Sequence, residues 1–174
     1  MNIFSNAGAS GTTSDLQAMA IGGTNFLGTV LAMTLIDRIG RKKLLLIGAV
    51  GTFTCLALTA VFFYTPSLHR ALVWPLIGFV AFFAVSQGSV IWVYISEIFP
   101  NSVRGKGLSL GSFTHWLMCA ALSNLFPVVA TRSGGLPFIF FAIMMAIQLF
   151  VVLRFFPETK GFSLEELQAR LETP

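Results

Sequence analysis

Trp92-Val93-Tyr94-Ile95-Ser96-Glu97-Ile98-Phe99-Pro100-Asn101-Ser102-Val103-Arg104-Gly105-Lys106-Gly107 reads as the corner of a membrane hairpin. An apolar, aromatic run ends in an acid, a proline and two basic residues, and a second apolar run follows at once. Basic residues between two membrane helices mark the cytoplasmic side. The corner therefore predicts both the class of the chain and which way round it lies.

Composition agrees with that reading. Of the 174 residues 55% are hydrophobic and only 10% charged, and the mean hydropathy is +0.81. Soluble domains carry about 25% charged residues, so water is not the main solvent. Cys55 and Cys119 fall inside apolar runs without metal-ligand spacing and read as free thiols. Met1-Asn2-Ile3-Phe4 has no basic region before an apolar one, so no signal peptide is expected.

Outward from the corner, five apolar stretches are each long enough to cross a hydrocarbon core, which takes about 20 helical residues. They lie at 16–36, 44–64, 72–95, 108–130 and 136–156, and only Arg154 carries charge within them. Residues 1–15, small and polar, read as an exposed, extracytoplasmic loop. Helix is required in the spans, because an open strand leaves backbone groups unpaired in lipid. Arg38, Arg41, Lys42, Lys43, Arg104, Lys106, Arg154, Lys160 and Arg170 fall on one side, leaving only Arg70 and Arg132 for the other. The positive-inside rule places those nine, and the C-terminus, in the cytoplasm and Met1 outside. The net charge of +4 is thus a topology signal, and nucleic acid is not a partner.

Gly22, Gly23, Gly28, Gly48 and Gly51, with the small-xxx-small pattern Gly107-Leu108-Ser109-Leu110-Gly111, favour a packed bundle. Pro75, Pro127 and Pro137 sit near span ends, where a missing amide bond is tolerated. In the cytoplasmic tail, 157–174, Pro157 stops the last span. Ser163 and Glu166 form a capping box, and Leu164, Leu167 and Leu171 line one face of a short amphipathic helix.

Polar residues at mid-depth are the pointers to function. Asn25, Gln87 and His115 come within about 6 Å of the middle of their spans at 1.5 Å per residue. Uncharged amides and imidazoles suit a neutral polyhydroxylated solute, and Trp92 and Trp116 offer flat faces for sugar rings. Gln148 is equally central, and bonding between helices is the rival reading for each of these residues. Trp74 reads as an interfacial anchor, a role open to Trp92 as well. No HExxH, GxSxG or phosphate-binding loop is present, so neither an enzyme, a metal site nor a cofactor is expected. Asp37 and Glu97 sit among the basic residues at the cytoplasmic ends, as partners in a charge network.

Three motifs taken together resemble the sugar porter family of the major facilitator superfamily: Asp37-Arg38-Ile39-Gly40-Arg41-Lys42; Ser96-Glu97-Ile98-Phe99-Pro100 with Arg104-Gly105-Lys106-Gly107; and Pro157-Glu158-Thr159-Lys160-Gly161. The resemblance covers essentially the whole chain and implies an all-α integral membrane fold, the incomplete C-terminal half of a major facilitator. The five spans look like the eighth to twelfth of the family's helices, and Asn2 to Ser10 resembles the remnant of the preceding one, the outer end of the seventh helix and the loop after it. By resemblance, Asn25, Gly88, Trp92, His115 and Trp116 fall at substrate-binding positions. Ser89 replaces the family proline of G-P-x-x-W, His115 replaces an amide, and Cys119 stands where an asparagine is frequent. Asp37 lies in the first of these motifs, and Arg38, Arg41, Glu97, Arg104 and Glu158 match the cytoplasmic charge network remade during alternating access. The family's Q-Q-x-x-G segment and N-terminal half are absent from the chain.

The implied function is that of a C-terminal fragment of a plasma-membrane monosaccharide carrier, by proton symport or facilitated diffusion. It would not be competent without the missing N-terminal half; its partners would be the sugar, coupled protons and the bilayer. The rivals are a transporter-like sugar sensor, for which the tail after Phe156 is short, and a non-transporting membrane scaffold.

Overall fold

The computed structural model describes residues 11–161, and among these every regular element is helical. Helix α1 spans Gly11–Ile39, α2 Arg41–Tyr64, α3 Val73–Val85, α4 Gln87–Ile98, α5 Arg104–Arg132 and α6 Leu136–Phe155, with a 3₁₀ turn at Pro66–Ala71 between α2 and α3. Five segments are long and apolar enough to cross a membrane: Ala18–Ile39, Arg41–Tyr64, Val73–Ile98, Arg104–Thr131 and Leu136–Phe155. The third of these is α3 and α4 together.

Helix α2 is the staff of the bundle. It packs most extensively on α6 and α3, while α1 lies along α3. Toward the basic end Ile36, Leu44, Leu45, Val90 and Val152 close one core cluster. At the opposite end Leu56, Ala60, Phe138 and Ala142 close another, with the Phe63 and Phe138 rings stacked at 5.2 Å. Lipid tails are as apolar as these side chains, so close packing rather than escape from water holds the helices together. Gly48 makes that possible on α2, since a methyl group there would overlap the Ser86 hydroxyl. Helix α5, by contrast, touches α4 and α6 sparsely, and none of its spanning window is buried. Its small-residue pattern does meet a neighbour: Gly107 lies against the Phe99 ring and Gly111 against Ile95.

The helices overrun the apolar stretches. Residues 11–15, expected as loop, already belong to α1; no helix breaker separates them from the span, so the backbone ladder continues into polar sequence. Likewise α2 begins at Arg41 and α5 at Arg104, inside the basic turns. The connection between α1 and α2 shrinks to Gly40, at φ 98° and ψ 157°, a conformation open essentially to glycine alone. Pro127 lies within α5 rather than beyond its end.

The third span is not one helix. It breaks at Ser86, whose φ −122° and ψ −92° lie outside the helical region. The break frees backbone carbonyls that lipid cannot satisfy, and two serines take them up. Ser86 Oγ donates to the Phe82 carbonyl at 2.8 Å and Ser89 Oγ to that of Ala84 at 3.0 Å. The capping box and tail helix expected after Phe162 lie outside the described residues.

Candidate functional site

At the break, α4 starts afresh and turns Gln87, Gly88, Ile91 and Trp92 toward a cavity of about 430 Å³, within the ~300–1,000 Å³ range of small-ligand sites. Phe83 of α3, Leu45 of α2, His115 of α5 and Gln148, Val151 and Val152 of α6 complete most of its wall. Among the described residues the lining is predominantly apolar, with uncharged polar groups and no Asp, Glu, Lys or Arg.

His115 sits between two indoles. Its ring meets Trp92 edge-on at 5.2 Å and Trp116 edge-on at 5.4 Å, and its Nε2 lies 3.6 Å from Cys119 Sγ. Gly88 gives the chain room to turn: an added methyl would press on the Phe83 ring and carbonyl at 3.1 and 3.2 Å. Gly88, Trp92 and His115 thus share one cavity wall, with Trp116 beside His115 but itself 67% exposed. Asn25 stands apart on the exposed face of α1, where Thr29 Oγ1 donates to its carbonyl at 2.9 Å. Gln87 and Gln148, weighed by depth alone in the sequence, line the same cavity. The cue to the break was present too, as the run Ser86-Gln87-Gly88-Ser89 inside an apolar span.

A second polar cluster lies at the basic end. Arg41 reaches Glu97 through Nη2 at 2.7 Å and through Nε to both carboxylate oxygens at 3.1 Å. Its Nη1 pairs with Asp37 at 3.1 Å and donates to the Ile36 carbonyl at 3.2 Å. The Glu158 carboxylate accepts the backbone N–H of Arg41 at 2.8 Å, placing an anion on the positive end of the α2 dipole. That anion offsets the three basic residues in the first turn of α2, where cations are unfavourable. Thr159, which lies in the third motif but outside the charge network read from it, donates to Glu97 at 2.6 Å and, through its N–H to Glu158, joins the two carboxylates. Tyr94 stacks on Phe156 at 4.7 Å and donates to the Pro157 carbonyl, pinning the segment after α6.

Asp37, Arg41, Glu97 and Glu158 therefore meet. Arg38 joins through its backbone carbonyl, which accepts from Lys160 Nζ. Arg104 points elsewhere: its Nε donates to the Phe99 carbonyl at 3.4 Å, and its buried Nη2 has no partner among the described residues.

The family described as "Sugar (and other) transporter" matches residues 1–171. The D-xylose-proton symporter of Escherichia coli (strain K12) is 36% identical over 177 residues, covering 98% of this chain and 36% of the symporter. The glucose facilitated diffusion protein of Zymomonas mobilis is 33% identical, covering 95% of this chain and 37% of its own length. Among solved structures, the major facilitator superfamily proton:xylose symporter XylE bound to 6-bromo-6-deoxy-D-glucose superposes with a TM-score of 0.84 at 35% identity, over 95% of this chain and 36% of that one. The chain thus spans little more than a third of the length of these relatives.

Proposed function

Because the chain belongs to the sugar (and other) transporter family and has the major facilitator fold, we propose that it supplies five helices of a carrier that moves a monosaccharide across the plasma membrane by alternating access. It is a transport protein rather than an enzyme. In this reading the helices that complete the carrier come from an N-terminal half, and the solute sits between the two sets near mid-depth. Gly88, Trp92, His115 and Trp116 contact the sugar at the cavity and Asn25, on the exposed face of α1 outside it, is a further contact: the indoles offer flat apolar faces, while the amide and imidazole exchange hydrogen bonds with hydroxyls. The single observation that supports this best is the cavity at the helix break, walled by Trp92 and His115 and, among the described residues, free of charged side chains.

The cluster of Asp37, Arg41, Glu97 and Glu158, with Arg38 and Arg104 around it, acts as the cytoplasmic latch, made in one state and broken in another. That assignment puts Met1 outside the cell and the C-terminus inside, as the distribution of basic residues favours. The relatives include both a proton symporter and a facilitated-diffusion protein, so coupling is read from the transport assay itself. Uptake of labelled glucose and xylose into vesicles carrying the assembled carrier tests the proposal, with and without a proton gradient. Uptake at low sugar concentration cut about tenfold by Trp92→Ala supports it; absence of any sugar flux or binding overturns it. Full-rate sugar uptake by the 174-residue chain alone would remove the need for an N-terminal half.

A further inference from the structure

We propose that Gln87 is a specificity-determining residue of the cavity, reading one hydroxyl of the sugar at a depth different from that of Trp92; this rests on the sugar-carrier function proposed above. Gln87 is 9% exposed, and its Nε2 is buried with no hydrogen-bond partner among the described residues. The other arm of its amide meets the Ser86 hydroxyl. That hydroxyl has a single proton, and the Phe82 carbonyl lies ready to accept it at 2.8 Å. If the proton goes there, the amide turns its NH₂ to Ser86 and leaves its carbonyl oxygen unpaired instead. Either way one polar atom of Gln87 stays without a partner among the described residues in a buried wall, which is costly unless something bonds it.

The helix break is what puts it there. Ser86 leaves the helical region, so Gln87 becomes the first residue of α4 and lines the cavity together with Gln148 of α6. Along α4, Gln87 and Trp92 are roughly 7 Å apart. A ring lying on Trp92 would therefore present a different hydroxyl to Gln87 from the ones it presents to His115. The absence of charged side chains from the lining, among the described residues, points to a neutral hydroxyl rather than a carboxylate or phosphate.

The test is equilibrium binding to the assembled carrier of D-glucose, D-xylose and a series of singly deoxygenated glucoses, for wild type, Gln87→Met and Gln148→Leu. In wild type one deoxy analogue is expected to bind about tenfold more weakly than glucose. In Gln87→Met glucose itself falls about tenfold, and that analogue loses its disadvantage, while the other analogues keep theirs. Gln148→Leu shifts the same analogue by less. Gln87→Asn, which keeps the amide but retracts it by one bond, carries the same comparison should the methionine variant not reach the membrane. Equal weakening for every sugar, or no weakening at all, overturns the inference and leaves the carrier function standing. So does a drop in melting temperature with discrimination unchanged, the outcome if the amide bonds a side chain of another helix. A wild-type carrier that binds no monosaccharide overturns the function and this inference together.

Discussion

The bundle holds two polar clusters, and they are built on opposite terms. At the basic end Arg41, Glu97, Glu158 and Thr159 satisfy one another across three elements distant in sequence. At the helix break, Gln87 keeps an unpaired amide atom, and it shares an apolar cavity with His115 and Gln148. The first cluster completes its bonds within the protein and so contributes to the fold. The second leaves bonding capacity facing a space and so contributes to recognition. Removing a member of the first should therefore damage stability before binding, and removing a member of the second should do the reverse.

Glu97→Ala is the sharpest way to break that contrast. The Arg41 side chain is 14% exposed and that of Glu97 23%, so the deletion leaves a mostly buried guanidinium with, among the described residues, only the exposed Asp37 carboxylate and the Ile36 carbonyl as partners. Breaking a buried pair costs roughly 3–5 kcal/mol, and the residual exposure argues for the lower end of that range. Thermal unfolding in detergent should show the loss, and Arg41→Met/Glu97→Met together should recover part of it. An unchanged melting temperature in Glu97→Ala would mean that the cluster is ornamental to the fold.

Gly40→Ala attacks the same end through the backbone. Its positive φ, combined with a methyl group 2.7 Å from Glu158 Oε2, forces either strain or withdrawal of the carboxylate from the α2 terminus. A destabilisation of about 1–3 kcal/mol is expected, measured in the same assay. If Glu158→Gln proves as damaging as Gly40→Ala, and the two together no worse, the carboxylate carries the effect.

How much of this was legible in the sequence follows from the same contrast. Lipid imposes helix, and a hydrocarbon core imposes length, so the five spans could be read from their apolar runs. The basic residues marked the corners. What periodicity could not reveal was which face of each helix turns inward: a segment apolar all round carries no stripe. Hence the meeting of Gln87, His115 and Gln148 around one cavity, and the separation of Asn25 from it, awaited the packing. Helix ends were misjudged for a related reason. Arg41 and Arg104 looked like turn residues, yet both open helices, the first with the Glu158 carboxylate settling its terminus. Thr159 escaped notice because its importance lies in joining Glu97 to the segment of Glu158, a contact made only in the fold.

On the cavity side the expected effects move to binding. Trp92→Ala removes the face on which the sugar is proposed to lie and should weaken binding about tenfold, or ~1.4 kcal/mol. Isothermal titration against glucose and xylose measures it. The melting temperature should fall by less than in Glu97→Ala, because Trp92 meets His115 edge-on across a cavity wall rather than inside a core cluster. A larger fall in stability than in affinity would erase the distinction between the two clusters.

Ser89→Pro should do least, and it asks what makes the break. The family pattern has a proline at this position, yet α3 and α4 separate at Ser86 with serine at 89. The break therefore needs no proline there; it coincides with the close approach of α2 at Gly48 and with the Ser86 and Ser89 hydroxyls that take up the Phe82 and Ala84 carbonyls. Position 89 is within the first turn of α4, where proline is tolerated. The substitution removes the Ser89 amide bond to the Ser86 carbonyl, 3.2 Å long, and the hydroxyl bond to Ala84. Against those losses stands a φ already suited to a helix start, so the net change should stay within about 1 kcal/mol. Gly48→Ala, by contrast, drives a methyl group into the Ser86 hydroxyl and should disturb both the break and Gln87 beside it. If Ser89→Pro unfolds the chain while Gly48→Ala is silent, local backbone chemistry makes the break and packing merely accommodates it. The reverse order, the one expected, makes the cavity a consequence of how closely α2 approaches.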